Sequence, residues 1–351
     1  MRVAVDGTFF DVTDEGRGVA LVLIHGFPLA KETWDAQALE LASRARVIRF
    51  DLRGLGASSV TPGPYLMEAL AGDAAGILDA LDVGEVVLAG HSLGGYVALA
   101  FWRMFAERVR GLGLICTRAG ADDEATARGR LEFAQRAERD GMAPIVDAFL
   151  PRFFGPPIYS EQPQLIERMR VLVERTNPQG AAAMLRGMAA RVSSEDLLAE
   201  IDVPLRVVGG RNDTLIPVER SQEIAAAVRG ARLDVLECGH LPLYEAPQAL
   251  TASLDGLLAE VAATRSCAKT APWRTRARSL PGTASRVRPP PGWPQRTRPS
   301  REPGTPVRLR RLGQSSGSGG RTSRSSIEPR LGILRRAAYC FAAGPPPCVL
   351  M

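Results

Sequence analysis

The sequence has little that would support disulfide, metal or membrane chemistry. Its 351 residues include five cysteines and three histidines, and no run of 18 apolar residues occurs. The cysteines show neither paired nor metal-type spacing, and their odd number argues against a disulfide framework, so a reducing compartment is expected. No segment has the length of a transmembrane helix, and the first residues lack the apolar core of a signal peptide. We therefore expect a cytoplasmic protein that uses neither a cofactor nor a metal.

Acidic residues are scarce in the last quarter of the chain. Residues 265–351 carry 18 Lys and Arg against 2 Asp and Glu, whereas residues 1–264 carry 26 against 36. The basic segment is rich in Arg, Pro, Gly and Ser without helix or strand periodicity, which predicts a disordered tail. Such a tail could bind nucleic acid or an acidic membrane surface. We favour a dispensable or frameshifted extension, so its partner stays unknown, and no nucleic-acid partner is expected for the acidic part.

The chain ends in Cys348-Val349-Leu350-Met351, which matches a prenylation box. Without a eukaryotic source we do not expect this cysteine to be modified.

Strand and helix patterns alternate along the acidic part. An N-terminal hairpin is predicted around Val3 and Phe10, and apolar runs predict buried parallel strands. Helical, proline-interrupted patterns fill the stretch after residue 119 before strands resume near residue 204. This order predicts an α/β fold with a mostly parallel eight-stranded sheet and helices on both faces. The expected division is a core of 1–119 and 200–264, a helical cap of 120–199 and the tail of 265–351.

A glycine-rich turn around Ser92 is the feature around which the predicted sheet is organised. Gly90-His91-Ser92-Leu93-Gly94-Gly95 follows an apolar strand pattern and precedes a helical one. A sharp strand-turn-helix holds a serine clear of its neighbours, and it needs glycine two residues before and two residues after the serine. The following helix directs its N–H groups towards the site, which favours a developing negative charge. Ser92 is therefore the predicted nucleophile, although a glycine-rich turn with an incidental serine is the alternative.

The base and the acid are chosen from the residues that follow the predicted strands. The histidines are His25, His91 and His240. His91 adjoins Ser92 and would point away from it, and His25 would brace the loop that follows the third strand, so His240 is the predicted base. Asp213 precedes it in the order Ser, Asp, His and is the predicted orienting acid. A helix N-cap is the alternative role for Asp213, and the other candidate acids are Asp202, Glu219 and Glu237.

Five motifs in this order resemble the α/β-hydrolase superfamily over about residues 1–263. They are His25-Gly26-Phe27-Pro28, Asp51 to Ser58, Gly90 to Gly95, Gly210-Arg211-Asn212-Asp213 and Gly239-His240. Within that superfamily the chain is similar to small capped esterases and lactonases, such as 3-oxoadipate enol-lactonase and the pimeloyl-carrier-protein methyl ester esterase. The resemblance implies a triad of Ser92, Asp213 and His240, with an oxyanion hole made by the N–H groups of Phe27 and Leu93. Serine at the nucleophile position argues against epoxide hydrolases and haloalkane dehalogenases, which carry aspartate there.

The sequence thus predicts a serine hydrolase that cleaves a carboxylic ester or lactone through an acyl-enzyme, acting as a monomer or homodimer. A cofactor-free haloperoxidase or perhydrolase and a carbon–carbon bond hydrolase would use the same triad. A non-catalytic binding protein on this fold is the alternative from another class.

Overall fold

The structure is a computed structural model that describes residues 1–270, with side chains described for residues 1–264. The predicted tail therefore lies outside the described residues beyond 270, as does the prenylation box at Cys348. Nothing in the described part tests a partner for that tail.

Eight strands form one sheet in the order β1-β2-β4-β3-β5-β6-β7-β8. β2 pairs antiparallel with β1 and β4, and all the remaining neighbours pair parallel. The predicted eight-stranded, mostly parallel sheet is confirmed. The strands are β1 (Arg2–Val5), β2 (Thr8–Gly16), β3 (Val19–Ile24), β4 (Ala45–Phe50), β5 (Val86–His91), β6 (Val109–Ile115), β7 (Leu205–Gly210) and β8 (Arg232–Leu236).

Twelve α-helices are present among the described residues, and six of them lie between β6 and β7. The helices are α1 (Asp35–Leu41), α2 (Met67–Ala80), α3 (Leu93–Phe105), α4 (Glu124–Asp140), α5 (Ala143–Phe149), α6 (Pro156–Glu161), α7 (Pro163–Glu174), α8 (Pro178–Ala189), α9 (Glu195–Leu198), α10 (Val218–Ala227), α11 (Pro242–Glu245) and α12 (Pro247–Thr270). We call α4 to α9 the cap helices. In the core, α1 packs with α12 and α2 packs with α3. None of the described helices is both long enough and apolar enough to cross a membrane.

The parallel register aligns the carboxyl ends of the central strands. Ile24 of β3 lies beside Phe50 of β4 and Gly90 of β5, and Ile115 of β6 lies beside His91 and Val208. The loops that follow these strands therefore emerge at one edge of the sheet, where ligands bind in open parallel sheets. This edge is where the sequence predicts the site.

Two helix boundaries differ from the prediction. The sequence pattern predicts a helix over 34–42, whereas the structure has a 3-10 turn at Lys31–Trp34 followed by α1. The pattern from Pro247 predicts a closing helix that ends at Ala262, whereas α12 continues to Thr270 and enters the segment predicted as tail. Proline interrupts helices, and none occurs between Ala262 and Pro272. The first six residues of the segment predicted as tail, 265–270, thus have helical backbone.

Helix α1 offers a direct test of the core. Leu41 is 1% exposed against the sheet, whereas Leu39 on the same helix is 82% exposed. We expect Leu41→Ala to lower the free energy of unfolding by about 2–5 kcal/mol, because it leaves a cavity, and Leu39→Ala to change it by less than about 0.5 kcal/mol. Urea unfolding followed by circular dichroism measures both, and equal losses for the two variants would contradict this packing.

Candidate active site

Ser92 lies in a strained turn between β5 and α3. Its φ of 53° and ψ of −113° are unusual for a residue with a side chain. The Ser92 N–H donates to Ile115 O at 2.8 Å, and the Thr117 hydroxyl donates to Ser92 O at 2.8 Å. A Cβ on Gly94 would lie 2.2 Å from Ile24 O, so only glycine lets α3 start this close to β3.

The loop after β3 is braced by two buried side chains. The Leu52 N–H donates to His25 Nε2 at 3.0 Å, so the ring proton is on Nδ1, which donates to Gly26 O at 2.9 Å. Burial lowers the pKa of His25, against the opposing charge of Asp51. Asp51 accepts the N–H groups of Lys31 and Ala57 at 2.7 and 2.8 Å. The bracing role expected of His25 is thus the arrangement observed.

The two predicted oxyanion donors belong to two segments that meet at Ser92, since a Cβ on Gly26 would lie 3.3 Å from the Ser92 Cβ. Phe27 belongs to the braced loop, and Leu93 is the first residue of α3. Within the described residues neither of their N–H groups donates to another protein group. Free backbone donors at the start of a helix are suited to stabilising an oxyanion.

Asp213 and His240 form a buried hydrogen-bonded pair. His240 Nδ1 lies 2.7 Å from Asp213 Oδ2, and the two residues are 3% and 6% exposed. Asp213 Oδ1 accepts the N–H groups of Leu215 and Ile216 at 2.8 and 2.9 Å. Burial works against ionisation, but the charge of His240, its hydrogen bond and these two N–H groups hold the pKa of Asp213 below its usual value. The side chain is therefore a carboxylate at neutral pH.

The alternative role for Asp213 was a helix N-cap. Helix α10 begins at Val218 with Pro217 at its N-cap position, so Asp213 does not cap it. Its Oδ1 closes the turn that precedes the helix, while its Oδ2 faces His240. One carboxylate thus fixes its own loop and orients the imidazole.

His91, the residue before Ser92, connects the turn to this pair, since its ring centroid lies 4.9 Å from that of His240. Among residues 1–264 the Ser92 hydroxyl has no hydrogen-bond partner, so the bond between Ser92 and His240 is not formed in this structure. Catalytic hydrogen bonds are often long in the absence of substrate. The structure joins the predicted acid to the predicted base, and the residue before the serine contacts the backbone of that base.

His91 makes no hydrogen bond to the Ser92 hydroxyl within the described residues, and it contacts the backbone of His240. Its Nε2–H donates to His240 O at 2.7 Å, which leaves a lone pair on Nδ1 that has no partner in the described part of the chain. Burial, followed by the nearby charge of His240, lowers the pKa of His91 to about 3. The ring is therefore neutral under ordinary conditions.

Sequence reasoning missed two residues beside His240. Cys116 follows β6 with a φ of 45°, and its thiol lies within 4.8 Å of ligand atoms of Asp213 and His240. These three groups could hold a metal only if the Asp213–His240 bond opened and the thiol ionised, and burial raises the pKa of Cys116 well above its ordinary value. Glu245 is the second, and its carboxylate accepts hydrogen bonds from the backbone N–H groups of Gly239 and Gly155. Neither residue stands out in the sequence, because Cys116 is far along the chain from Asp213 and His240, and the partners of Glu245 are backbone groups.

The cap helices reach the predicted oxyanion loop through aromatic contacts. The Phe149 ring lies 5.8 Å from the Phe27 ring and 5.9 Å from the Phe133 ring, centroid to centroid and edge to face. A cleft of about 460 Å³ lies elsewhere, between α7 and the 3-10 turn at Lys31–Trp34, and no predicted site residue lines it.

Comparisons with known proteins agree with the fold. Residues 21–254 match the family described as the alpha/beta hydrolase family. A thermophilic esterase from Thermogutta terrifontis, solved with malate bound, is 37% identical with a TM-score of 0.72, covering 74% of this chain and 99% of its own. The 3-oxoadipate enol-lactonase 2 of Acinetobacter baylyi is 26% identical over 68% of this chain and 88% of its own. A non-heme haloperoxidase of Rhodococcus erythropolis is 31% identical over 66% and 89%.

The neutral His91 predicts a dependence of stability on pH. Its folded pKa of about 3 lies below the unfolded value of 6.5, so the unfolded chain binds the extra proton between these values and stability falls as pH drops below 6.5. The expected loss from this ring is about 1.4 kcal/mol per pH unit. His91→Gln retains an N–H donor but does not titrate, so its unfolding free energy should fall less steeply from pH 6.5 to 4.5. Parallel urea-unfolding profiles for the two proteins would contradict the buried neutral ring.

Proposed function

The chain belongs to the alpha/beta hydrolase family, and we propose that it is a serine hydrolase that cleaves a carboxylic ester or lactone through an acyl-enzyme on Ser92. The observation that carries this proposal is the buried hydrogen bond between His240 Nδ1 and Asp213 Oδ2 beside the strained turn of Ser92. A carboxylate that fixes an imidazole next to a hydroxyl is the arrangement that activates serine. The esterase and lactonase names of the relatives support the substrate class.

The first half of the reaction forms the acyl-enzyme. Because Nδ1 of His240 gives its proton to the bond with Asp213, the lone pair is on Nε2, which takes the proton of the Ser92 hydroxyl. The Ser92 oxygen attacks the carbonyl carbon, and the resulting oxyanion accepts hydrogen bonds from the N–H groups of Phe27 and Leu93. Collapse of the tetrahedral adduct breaks the bond to the leaving alkoxide, which takes the proton from His240.

The second half releases the product. His240 Nε2 takes a proton from water, the hydroxide attacks the acyl carbon, and the same two N–H groups hold the second oxyanion. Collapse returns the proton to Ser92 and frees the carboxylic acid. With a lactone the alcohol and the acid stay in one molecule, so the product is a hydroxy acid or, for an enol lactone, a keto acid.

Perhydrolysis is the second candidate, and the non-heme haloperoxidase relative favours it. Hydrogen peroxide would replace water as the attacking group on the same acyl-enzyme and release a peracid. A panel of short esters and lactones, assayed with and without peroxide, separates the two reactions, because only a peracid oxidises bromide. A 1,3-diketone in the panel covers the carbon–carbon bond alternative. The panel is run on the whole chain and on a chain truncated after Thr270.

Replacing the nucleophile tests the proposal directly. Ser92→Ala should lower kcat on an activated short ester by at least about 10⁴-fold while the circular dichroism spectrum stays unchanged. The exposed Ser43→Ala serves as the control and should keep full activity. A fluorophosphonate probe should label the wild type and not Ser92→Ala, and persistent hydrolysis in that variant would remove Ser92 from the mechanism.

Replacing the acid tests the orientation of the base. Asp213→Asn removes the charge and offers its amide in place of an acceptor, so we expect kcat to fall by about 10³- to 10⁴-fold with little change in KM. Glu219→Gln, an exposed carboxylate change at another candidate acid, should have no effect. The reverse result would transfer the role of the acid to Glu219.

A further inference from the structure

The loop that carries His240 is covered by one segment of the cap. We call Glu237–His240 the histidine loop and Phe153–Gly155 the cap segment. The His240 N–H donates to Phe153 O at 2.9 Å. A Cβ on Gly239 would lie 2.4 Å from Gly155 N and 2.4 Å from Phe154 C, so the two backbones approach as closely as glycine permits.

Glu245 bridges these two segments with its carboxylate. Its Oε1 accepts the Gly239 N–H at 2.9 Å, and its Oε2 accepts the Gly155 N–H at 2.7 Å. The two donors are 84 residues apart along the chain, one in the cap and one beside the predicted base. A carboxylate that accepts one bond from each segment fixes the distance between them.

The chemistry of Glu245 argues that this position serves the bridge. The side chain is half-buried, and among residues 1–264 it has no ion-pair partner. The backbone N–H groups of Gly239 and Gly155 therefore replace the hydrogen bonds to water that its carboxylate loses. Burial raises the pKa of Glu245, and the N–H groups of Gly239, Gly155 and Leu241 oppose that rise. Burying part of a carboxylate without a cation costs free energy, so a carboxylate is unfavourable at a position where it makes no specific hydrogen bonds.

The backbone of His240 is held at both of its polar groups by residues outside its own loop. Its N–H is bound by Phe153 and its C=O by His91 Nε2 at 2.7 Å. Of the three hydrogen bonds to the backbone of Gly239 and His240, the bond to Phe153 O is made by the cap segment itself, and the carboxylate that accepts the Gly239 N–H also binds the cap segment at Gly155. If the cap segment moves away, the imidazole keeps its bond to Asp213, but the His240 N–H loses its hydrogen bond to Phe153 O, so the backbone that orients the ring is less well fixed.

We propose that Glu245 is a positioning residue that couples docking of the cap segment to placement of His240 against Ser92. This inference rests on the proposed function for the role of His240. Glu245 does not touch the reacting atoms, and its effect passes through the peptide groups of Gly239 and His240. The cap therefore contributes to the rate of the chemical step as well as to substrate binding.

Tyr159 provides an independent way to loosen the same segment. Its hydroxyl donates to Leu150 O at 2.8 Å and accepts the Phe154 N–H at 3.1 Å. These contacts hold the cap segment from the cap side and do not involve the histidine loop. Tyr159→Phe removes both bonds and leaves Glu245 intact.

The test compares Glu245→Gln, Tyr159→Phe and their double variant with Glu237→Gln. In Glu245→Gln the side-chain oxygen can still accept one of the two backbone N–H groups, but the NH₂ group then faces the other N–H, and two donors cannot bond to each other. We therefore expect kcat to fall by about 10- to 100-fold with KM nearly unchanged. Fluorophosphonate labelling of Ser92 should slow by a similar factor. Glu237→Gln changes an exposed carboxylate of the same loop and should match the wild type. Because both changes act through one contact, the double variant should fall by less than the product of the single losses.

Amide hydrogen exchange gives a readout that needs no catalysis. In Glu245→Gln and in Tyr159→Phe, the cap segment and the histidine loop should both exchange faster than in the wild type, and they should remain unchanged in Glu237→Gln. If only one segment or only the activity changes, or if Glu245→Gln behaves as the wild type, the proposal is overturned. If Glu245→Gln does not fold, Tyr159→Phe decides by the same criteria.

The two proposals fail in different ways. If the wild type hydrolyses no ester or lactone, or if Ser92→Ala keeps its activity, the proposed function fails. Hydrogen exchange then still decides whether Glu245 links the two segments, since it reports on the amides and not on the reaction.

Discussion

The buried bond between Asp213 and His240 is the interaction on which the site depends. A carboxylate that is 6% exposed must find hydrogen-bond donors inside the protein, and Asp213 finds two N–H groups for one oxygen and the imidazole for the other. The neighbouring strands β7 and β8 bring the two loops together. This bond assigns the proton to Nδ1 of His240 and leaves a lone pair on Nε2, which the proposed reaction uses as its base. In the proposed mechanism, the activation of the serine therefore depends on the hydrogen bonds that a buried carboxylate must make.

The three histidines lie at or just after the carboxyl ends of strands at the same edge of the sheet, but their surroundings give them different properties. Burial depresses the pKa of His25 and His91, so both rings are neutral and act through fixed hydrogen bonds to backbone groups. Only His240 has a carboxylate directly against its ring. A neutral His91 also matters for charge, because a second cation 4.9 Å from the His240 ring would oppose formation of the imidazolium. Two histidines therefore support the geometry in which the third can change charge.

The parts of the fold and site that could be predicted from sequence are those set by local patterns. Apolar runs gave the strands, glycine spacing gave the turn at Ser92, and the order of residues after strands singled out Asp213 and His240. The helix end at Thr270 was missed because composition changes before the helix does. Glu245 and the contact from His91 to His240 were missed because each depends on backbone groups brought together by the tertiary fold, and Cys116 was missed because Asp213 and His240 are far from it along the chain. A side chain whose partners are main-chain N–H or C=O groups leaves no complementary residue to find in the sequence.

Close backbone approach explains how such a site stays ordered while loops form most of it. Gly94 lets α3 begin against β3, and a Cβ on Gly210 would lie 2.1 Å from Gly239 O, so the loops of Asp213 and His240 also meet at a glycine. Gly239 in turn meets the cap. At each contact a side chain would force the backbones apart, and hydrogen bonds to main-chain groups hold them together instead. The sheet fixes the strand ends, and these glycine contacts transmit that order outward to the serine, the histidine and finally the cap. A cap joined to the base in this way cannot shift without disturbing the loop that aims the imidazole.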